Sequence, residues 1–535
     1  MLKKYQILVK NLLGYLPELN DFTNDYRVFM PEYLVKYNIN ISMSKFFQMF
    51  IETNINITDE IIKSFIKDVY LTNKIYKLKL SVELQDNISN IINESIDYNN
   101  IYRINSVFSI CKYEYQNLTN LDEILKQYNI TDKSQIVVCN KYYTIQKYYN
   151  MELEIAKKIR NLINTHEITE INLPKFNLLQ NQAVNLILSN NLSIITGKPG
   201  TGKSEILGYF LDTTDCIILT PTGAASENLQ TRFPKHINRI ATIARFIHTI
   251  FKKKSNGFII IDEFSMCDIP LFYKLLLFNI NKLVLVGDHN QLPSIKLGQL
   301  LKDFIDSNKI PFIELKENYR NIRGILKVID YVLINKKLAV YKNAVESIEY
   351  NIDKFCNQFG FEYLKTNITI ISPTNHIVDE INNNLQKFNT NIKLNNRFKK
   401  NDKIMFLKNM PELDLYNGTI LYLENLVTIN KICIFTFKNI SKSLKYTEFT
   451  CKESEINQFI KLAYASTVHK MQGKESDIIW LVLIEYPRIM WDVKLIYTAI
   501  SRAKKMCYIT ANDYNMINES IKINKTRFTS IPNLL

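Results

Sequence analysis

Two clusters of residues in this chain have the types and spacing to do chemistry on a phosphate. Gly197-Lys198-Pro199-Gly200-Thr201-Gly202-Lys203-Ser204 fits the pattern G-x-x-x-x-G-K-[ST], directly after the apolar run Leu192 to Thr196 and before an amphipathic helical pattern. Its glycines let backbone N–H groups converge on a triphosphate at a helix N-terminus. Lys203 can reach the β and γ phosphates, and Ser204 can ligate Mg²⁺. About 59 residues beyond Lys203, Ile259-Ile260-Ile261 ends in Asp262-Glu263. An acid pair after a strand also suits a solvated loop. Paired with the upstream loop, Asp262 would hold the Mg²⁺ shell and Glu263 would orient or deprotonate an attacking water.

Elements that must position these groups are readable on either side. From about Asn172, short apolar runs each end in a polar or Gly-rich loop: Leu192 to Thr196, Cys216 to Thr220, Phe258 to Ile261 and Leu283 to Val286. Fully buried strands alternating with helices predict an α/β unit with a parallel sheet, whose functional loops follow the strand C-termini. Ile368 to Ile371, Ile478 to Ile484 and Met506 to Thr510 predict a second such unit. Between its halves, alternating polar and apolar residues around Asn417-Gly418 read as inserted β structure. Upstream, apolar residues at three and four spacing in Asp59 to Tyr70 and Tyr148 to Ile163 give a mostly helical N-terminal region without a catalytic signature. The expected division is 1–165 helical, 166–309 first α/β domain, 310–394 with 461–535 second α/β domain, and 395–460 β insertion.

Composition narrows the partners. The 535 residues carry 67 Lys+Arg against 52 Asp+Glu, a formal charge of +15, which favours a polyanion such as nucleic acid or an anionic membrane face. Part of that charge belongs to a general richness in Asn, Ile, Lys and Tyr. The eight cysteines lie far apart with no Cys-x-x-Cys, so they read as buried thiols of a reducing compartment rather than a zinc site. The longest apolar runs are strand-length, and Lys10 breaks the N-terminal apolar stretch. A soluble, intracellular protein is expected, with no membrane partner and no compartment assigned.

Further strings, in order, resemble the superfamily-one DNA helicases. Gly197 to Ser204 resembles their first motif, and Asp262-Glu263-Phe264-Ser265-Met266 the second. Gly287-Asp288-His289-Asn290-Gln291-Leu292-Pro293-Ser294 resembles the third, Ala463 to Glu475 the fifth, and Tyr497-Thr498-Ala499-Ile500-Ser501-Arg502-Ala503-Lys504 the sixth. This resemblance implies two RecA-like motor domains using ATP and Mg²⁺ and moving on single-stranded DNA. It assigns adenine reading to Gln180, whose amide can pair with a donor and an acceptor on the base edge. Gly473 and Glu475 join the nucleotide site, and Gln291 senses the γ phosphate. Arg320 and Arg502 resemble paired arginine fingers. Pro221, Thr222, Thr242, Thr467 and His469 resemble residues that grip a strand by its phosphates without reading sequence, although helix capping and core packing are ordinary uses of such threonines.

Finer detail resembles the RecD and Dda type. Gly287 to Ser294, Asn417-Gly418-Thr419 and Ala463 to Glu475 carry it, and Tyr148 to Ala156 is similar to the linking helix before the motor. The branch implies 5′ to 3′ movement toward duplex junctions in replication, repair or recombination, an SH3-like insertion that guides the strand, and a nuclease or replication partner. Four features depart from it. Ala224 follows Gly223 where relatives carry a basic residue, Ala244 stands in Thr242-Ile243-Ala244-Arg245 where a His is usual, and Asn321 replaces a Gln. Between His248 and Phe258 there is room only for Thr249 to Gly257, too short for the pin hairpin that splits the duplex in relatives. A single-strand translocase with weak unwinding, or a non-catalytic nucleic-acid-binding scaffold, are the alternative readings.

Overall fold

The computed structural model describes residues 116–117, 136–139 and 142–535, apart from 168, 249–256, 320–322, 409, 411–414, 416, 440–447, 485–491 and 523–526. The helical pattern at Asp59 to Tyr70, the shortened pin segment, Arg320 and Asn321 therefore lie outside the described residues. The chain divides into two compact units at Gln146. In the first, β1 (Gln116–Asn117), β2 (Ile136–Cys139) and β3 (Tyr142–Ile145) form an antiparallel sheet of order β1-β3-β2.

The second unit starts with the helix Gln146–Leu162, where the three and four spacing of apolar residues predicted one. Its buried Ile155, Ala156 and Ile159 form the apolar stripe of an amphipathic helix. That helix packs on the helix Ile269–Leu275 and on the C-terminal helix Ile531–Leu534, within the same compact unit as the parallel sheets.

Six strands follow: β4 (Leu192–Gly197), β5 (Ile217–Thr220), β6 (Ile240–Thr242), β7 (Phe258–Ile261), β8 (Lys282–Gly287) and β9 (Phe312–Leu315). All pair in parallel, in the order β6-β5-β7-β8-β4-β9. Every residue of β4 and β5 is buried, because helices cover both faces of such a sheet, and that is why these strands read as unbroken apolar runs. Ile195, Phe210, Ile218, Ile260 and Val284 are among the residues of one of its cores.

The chain then lays down β10 (Val345–Ser347) and β11 (Ile368–Ser372) and leaves through the helix Asn375–Lys387. It forms five antiparallel strands, β12 (Lys403–Phe406), β13 (Ile420–Ile429), β14 (Ile432–Asn439), β15 (Glu448–Lys452) and β16 (Ile460–Leu462), in the order β15-β14-β13-β12-β16. It returns with β17 (Ala465–Thr467), β18 (Ser476–Leu483) and β19 (Ala503–Ala511) to complete a second parallel sheet, β10-β19-β18-β11-β17. The fold is α/β, with two parallel-sheet domains of RecA type and a small β insertion.

Within the insertion, Phe406, Leu421, Leu423, Phe435 and Phe449 build a separate core. Its tight turn is Asn430-Lys431, both left-handed with φ 49° and 63°, flanked by the pair Ile429 and Ile432. Two successive positive φ angles match the right-handed twist of the flanking strands, and Asn tolerates the first. Asn417-Gly418 instead ends the longer connection from β12 to β13.

Past β19, the helix Tyr514–Lys522 places Ile517 and Ile521 in the second core. The C-terminus then engages the first α/β domain and the helix Gln146–Leu162. Arg527 donates to the carbonyl of Lys296 at 3.1 Å, Thr529 to the Asp303 carboxylate at 2.8 Å, and the Ser530 N–H to Glu152 at 2.8 Å. No described helix is long and apolar enough to cross a membrane.

Candidate nucleotide cleft and nucleic-acid edge

β4 delivers the chain into the phosphate loop, where Gly200 and Gly202 both take φ 83°, a backbone conformation that costs glycine little and other residues more. Gly202 caps the helix Lys203–Thr213 without a side-chain hydrogen bond, so the first N–H groups of the helix remain directed at the loop. The Lys203 ammonium donates to the carbonyl of Lys198 at 3.0 Å and also to that of Gly197. Thr201 closes the loop with a bond from its hydroxyl to the Lys198 carbonyl at 2.9 Å.

The loop is one wall of a cleft of about 570 Å³. Gly200, Thr201, Gly202, Lys203, Ser204, Asp262, Glu263 and Gln291 line it from the first sheet, and Gly473, Glu475 and Arg502 from the second. Asp262 follows β7, fixed by its N–H on the Leu219 carbonyl at 2.9 Å. Burial pushes its carboxyl up to about 7, and the adjacent Glu263 charge adds to the rise. A divalent cation beside Ser204 and Asp262 would restore the ionised form. Glu263 holds a left-handed φ of 53°, a conformation that costs a non-glycine residue of order 1 kcal/mol and concentrates at functional sites.

Gln291 is buried, and its side-chain oxygen has no hydrogen-bond partner. An amide can be turned to present either oxygen or NH₂, so this side chain is available to a water or a phosphate in the cleft. Arg502 is also buried. Its guanidinium rests on the carbonyls of Thr498 at 3.3 Å and Lys474 at 3.4 Å and on the Ser501 hydroxyl at 3.2 Å. Among the described residues no carboxylate within 4.0 Å pairs with it. A backbone N–H cradle, a hydroxyl and a carboxylate for a cation, an unpartnered amide and two cationic side chains together fit a magnesium nucleoside triphosphate.

Gln180 and Gly197 are not among the residues that line the cleft. Gln180 closes a capping box with Asn177: its N–H donates to the Asn177 side chain at 2.7 Å and its side-chain oxygen accepts from the Asn177 N–H at 3.1 Å. Its NH₂ lies against Gly202, where an added Cβ would come within 2.2 Å. Asn177 also donates to Glu317 at 2.9 Å and touches the Tyr319 hydroxyl. Tyr319 lines the cleft and its N–H donates to the Gly200 carbonyl at 3.0 Å. Sequence reading passed over Tyr319 and Asn177, although one precedes Arg320 and the other stands at the N-cap position before Gln180.

Direct bonds close the cleft from both sides. Asn228 donates to the Gly473 carbonyl at 3.0 Å, Gln472 to the Leu292 carbonyl at 2.8 Å, and the Leu292 N–H to the Thr498 hydroxyl at 2.9 Å. Gly473 is needed there, since a Cβ would stand 3.1 Å from that of Ala225 and its φ is 75°.

The residues expected to grip a strand lie at C-terminal strand ends. Pro221 and Thr222 follow β5, Thr242 ends β6, Thr467 ends β17, and His469 follows it. The Thr222 hydroxyl accepts from the Ala225 N–H at 3.4 Å and that of Thr242 from the Arg245 N–H at 3.1 Å. Both thus cap helices, and each hydroxyl still has a proton to donate. Burial lowers the His469 pKa, with Arg527 adding, which keeps the imidazole neutral.

The two sheets repeat this arrangement. Thr220 pairs with Thr242 and precedes Pro221-Thr222, whereas Ser372 pairs with Thr467 and precedes Pro373-Thr374. Thr374 and Ser466 have buried hydroxyls without a partner. The sequence signal for Thr374 was the Ser-Pro-Thr string itself, which mirrors Thr220-Pro221-Thr222.

Comparison with known proteins agrees with the motif series. The AAA domain family matches residues 175–331, and the UvrD-like helicase C-terminal domain family matches residues 462–510. An uncharacterised protein of Methanocaldococcus jannaschii is 25% identical over 450 residues, 63% of this chain but only 38% of that protein's length. The RecBCD enzyme subunit RecD of Buchnera aphidicola is 27% identical over 457 residues, covering 64% of this chain and 74% of the subunit. The ATP-dependent RecD2 DNA helicase of Deinococcus radiodurans is 23% identical over 352 residues, 61% of this chain and 47% of that protein. Five ordered motifs, two matched domain families and the RecD relatives together make this chain similar to the superfamily-one helicases, and within them to the RecD-like branch.

Proposed function

We propose that the chain hydrolyses ATP in this cleft and uses the cycle to move 5′ to 3′ along single-stranded DNA, separating strands at duplex junctions. The observation that carries the reading is the composition of the cleft, with Lys203, Asp262, Glu263 and Gln291 on one sheet and Arg502 on the other. Neither sheet alone supplies a complete hydrolytic set, so hydrolysis and the relative position of the domains are linked.

In this reading Lys203 and the loop N–H groups hold the polyphosphate, and Ser204 and Asp262 hold Mg²⁺, which neutralises developing charge when bound. Glu263 orients the attacking water and takes its proton. Gln291 registers the terminal phosphate from its buried position. Arg502 stabilises charge that develops only in the transition state, and Arg320 is a second finger assigned by resemblance alone. Loss of the terminal phosphate removes what Arg502 and Gln291 hold in common and lets the domains part.

Pro221, Thr222, Thr242, Thr467 and His469 are the proposed phosphate contacts, and Thr374 joins them through its mirrored position. Single-stranded DNA and duplex junctions are the proposed substrates. A nuclease or replication complex is a proposed partner, in line with a relative that is a subunit of RecBCD. The nine residues between His248 and Phe258 favour a second reading, a translocase that unwinds poorly. Unwinding of duplexes with a 5′ or a 3′ tail separates the two: the first reading predicts strand release from 5′-tailed substrates only, whereas ATP-driven movement on single strands without release supports the second.

A further inference from the structure

Lys474 stands between two residues that line the cleft, Gly473 and Glu475, yet its side chain serves a different part of the molecule. Its ammonium donates to the carbonyl of Gly418 at 2.6 Å. Gly418 is the last turn before β13, and its own N–H donates to the carbonyl of Phe406, the end of β12, at 2.8 Å. Lys474 thus holds the β insertion at the root of its two central strands.

The backbone of the same turn faces the cleft. The Lys474 carbonyl accepts from Arg502 at 3.4 Å, and the neighbouring Gly473 carbonyl accepts from Asn228 at 3.0 Å. Asn228 lies on the helix Gly223–Arg232 of the first motor domain. A Cβ placed on Gly418 would come 4.0 Å from that of Ala224, at the start of the same helix. First domain, second domain and insertion therefore meet at one three-residue turn, which the left-handed φ of Gly473, 75°, shapes.

We propose that Lys474 is a positioning residue that carries the nucleotide-dependent movement of the Gly473–Glu475 turn to the β insertion. The inference rests on the motor reading above. Arg502 cannot shift toward or away from a terminal phosphate without changing its contact with the Lys474 carbonyl. The turn moves with it, and the ammonium takes Gly418 along. The bond is charge-assisted and partly shielded from water, so it holds its geometry better than a neutral surface contact. Burial also lowers the Lys474 pKa, with the Glu227 charge opposing the fall. Such a link is a physical path only if both ends respond to the same event, and that response is measurable.

The test uses the full chain, with Lys474→Met to remove the donor at similar length and Lys474→Arg to keep one. Hydrogen exchange is followed at the phosphate loop and at residues 418–423, with and without a magnesium complex of a non-hydrolysable ATP analogue. Wild type should show nucleotide-dependent protection in both segments, Lys474→Met only in the phosphate loop, and Lys474→Arg in both. DNA-stimulated ATPase should stay within about threefold of wild type in both variants, while strand release or displacement per ATP falls about tenfold in Lys474→Met and recovers in Lys474→Arg. An insertion that responds equally in wild type and Lys474→Met overturns the proposal. So does a wild-type insertion that ignores nucleotide while the phosphate loop responds. Failure of the motor reading is read separately, as wild-type protein that binds the analogue but does not hydrolyse ATP with any polynucleotide.

Discussion

Tyr497 donates a hydrogen bond of 2.5 Å to the carboxylate of Asp288, and both residues are buried. Asp288 follows β8 of the first sheet and also accepts from the Asn290 N–H at 2.9 Å. Tyr497 sits on the helix Val493–Ile500 of the second domain. Burial, with the Asp288 charge adding, raises the phenol well above its ordinary pKa, so it stays a donor at any working pH. Tyr497→Phe should destabilise the protein by about 1–3 kcal/mol, the cost of leaving a buried acceptor short of a partner. It should also lower DNA-stimulated kcat more than it changes KM for ATP. Urea unfolding and steady-state kinetics on one preparation check both expectations.

Gly202 combines a φ of 83° with an added-Cβ distance of 2.2 Å to the Gln180 amide. Gly202→Ala therefore has to break the contact with Gln180 or shift the loop. The expected outcome is at least a tenfold loss of nucleotide affinity, about 1.4 kcal/mol, measured by titration with a fluorescent ATP analogue. Unchanged affinity would show that the loop relaxes on binding.

Arg502 should separate binding from chemistry. Arg502→Ala is expected to bind nucleotide within a few-fold of wild type and to lose about 10³-fold in kcat, the low end for an arginine finger. Equilibrium binding and single-turnover hydrolysis distinguish these. Equal losses in both would make Arg502 a structural support of the Gly473–Glu475 turn.

Asp303 gives a pH dependence with a definite sign. It is 2% exposed, and burial raises its carboxyl to about 7 despite hydrogen bonds from Thr529 and Gln299 that oppose the rise. Between the ordinary carboxylate pKa and about 7, the folded state keeps a proton that the unfolded chain releases. The contribution of this group is thus greatest in acid and is lost as pH rises through that window. Asp303→Asn should leave stability little changed near the acid end and raise it at pH 8, by up to ~4 kcal/mol if the whole shift is expressed. Thermal melts of both proteins across that pH range check the crossover.

The cleft was legible because its chemistry is local in the chain. A glycine loop after a buried strand and two acids after another are contiguous strings, and parallel strands covered on both faces leave continuous apolar runs. What stayed hidden depends on contacts between distant residues. β17 is only Ala465–Thr467, and its free edge is held by the Asn382 side chain, which accepts from the Ala465 N–H at 2.7 Å and donates to its carbonyl at 3.2 Å. The C-terminal return depends on Arg527 meeting main-chain carbonyls, which carry no side-chain signature. Asn430-Lys431 makes a two-residue turn without the glycine that usually marks one. Asp402 joins the insertion to the chain on either side of it, accepting from Asn389 and from Tyr464, each at 2.7 Å, and to the helix before it by accepting from Gln386. No periodicity predicts that pairing.

In the proposed function, two domains share one hydrolytic cleft whose turnover is coupled to DNA. The most direct test is ATP hydrolysis by purified protein with and without single-stranded DNA, with Lys203→Ala as the control. Strong stimulation by DNA, abolished by Lys203→Ala, is the expected result. Hydrolysis absent with every polynucleotide tested, in protein that still binds nucleotide, would contradict it.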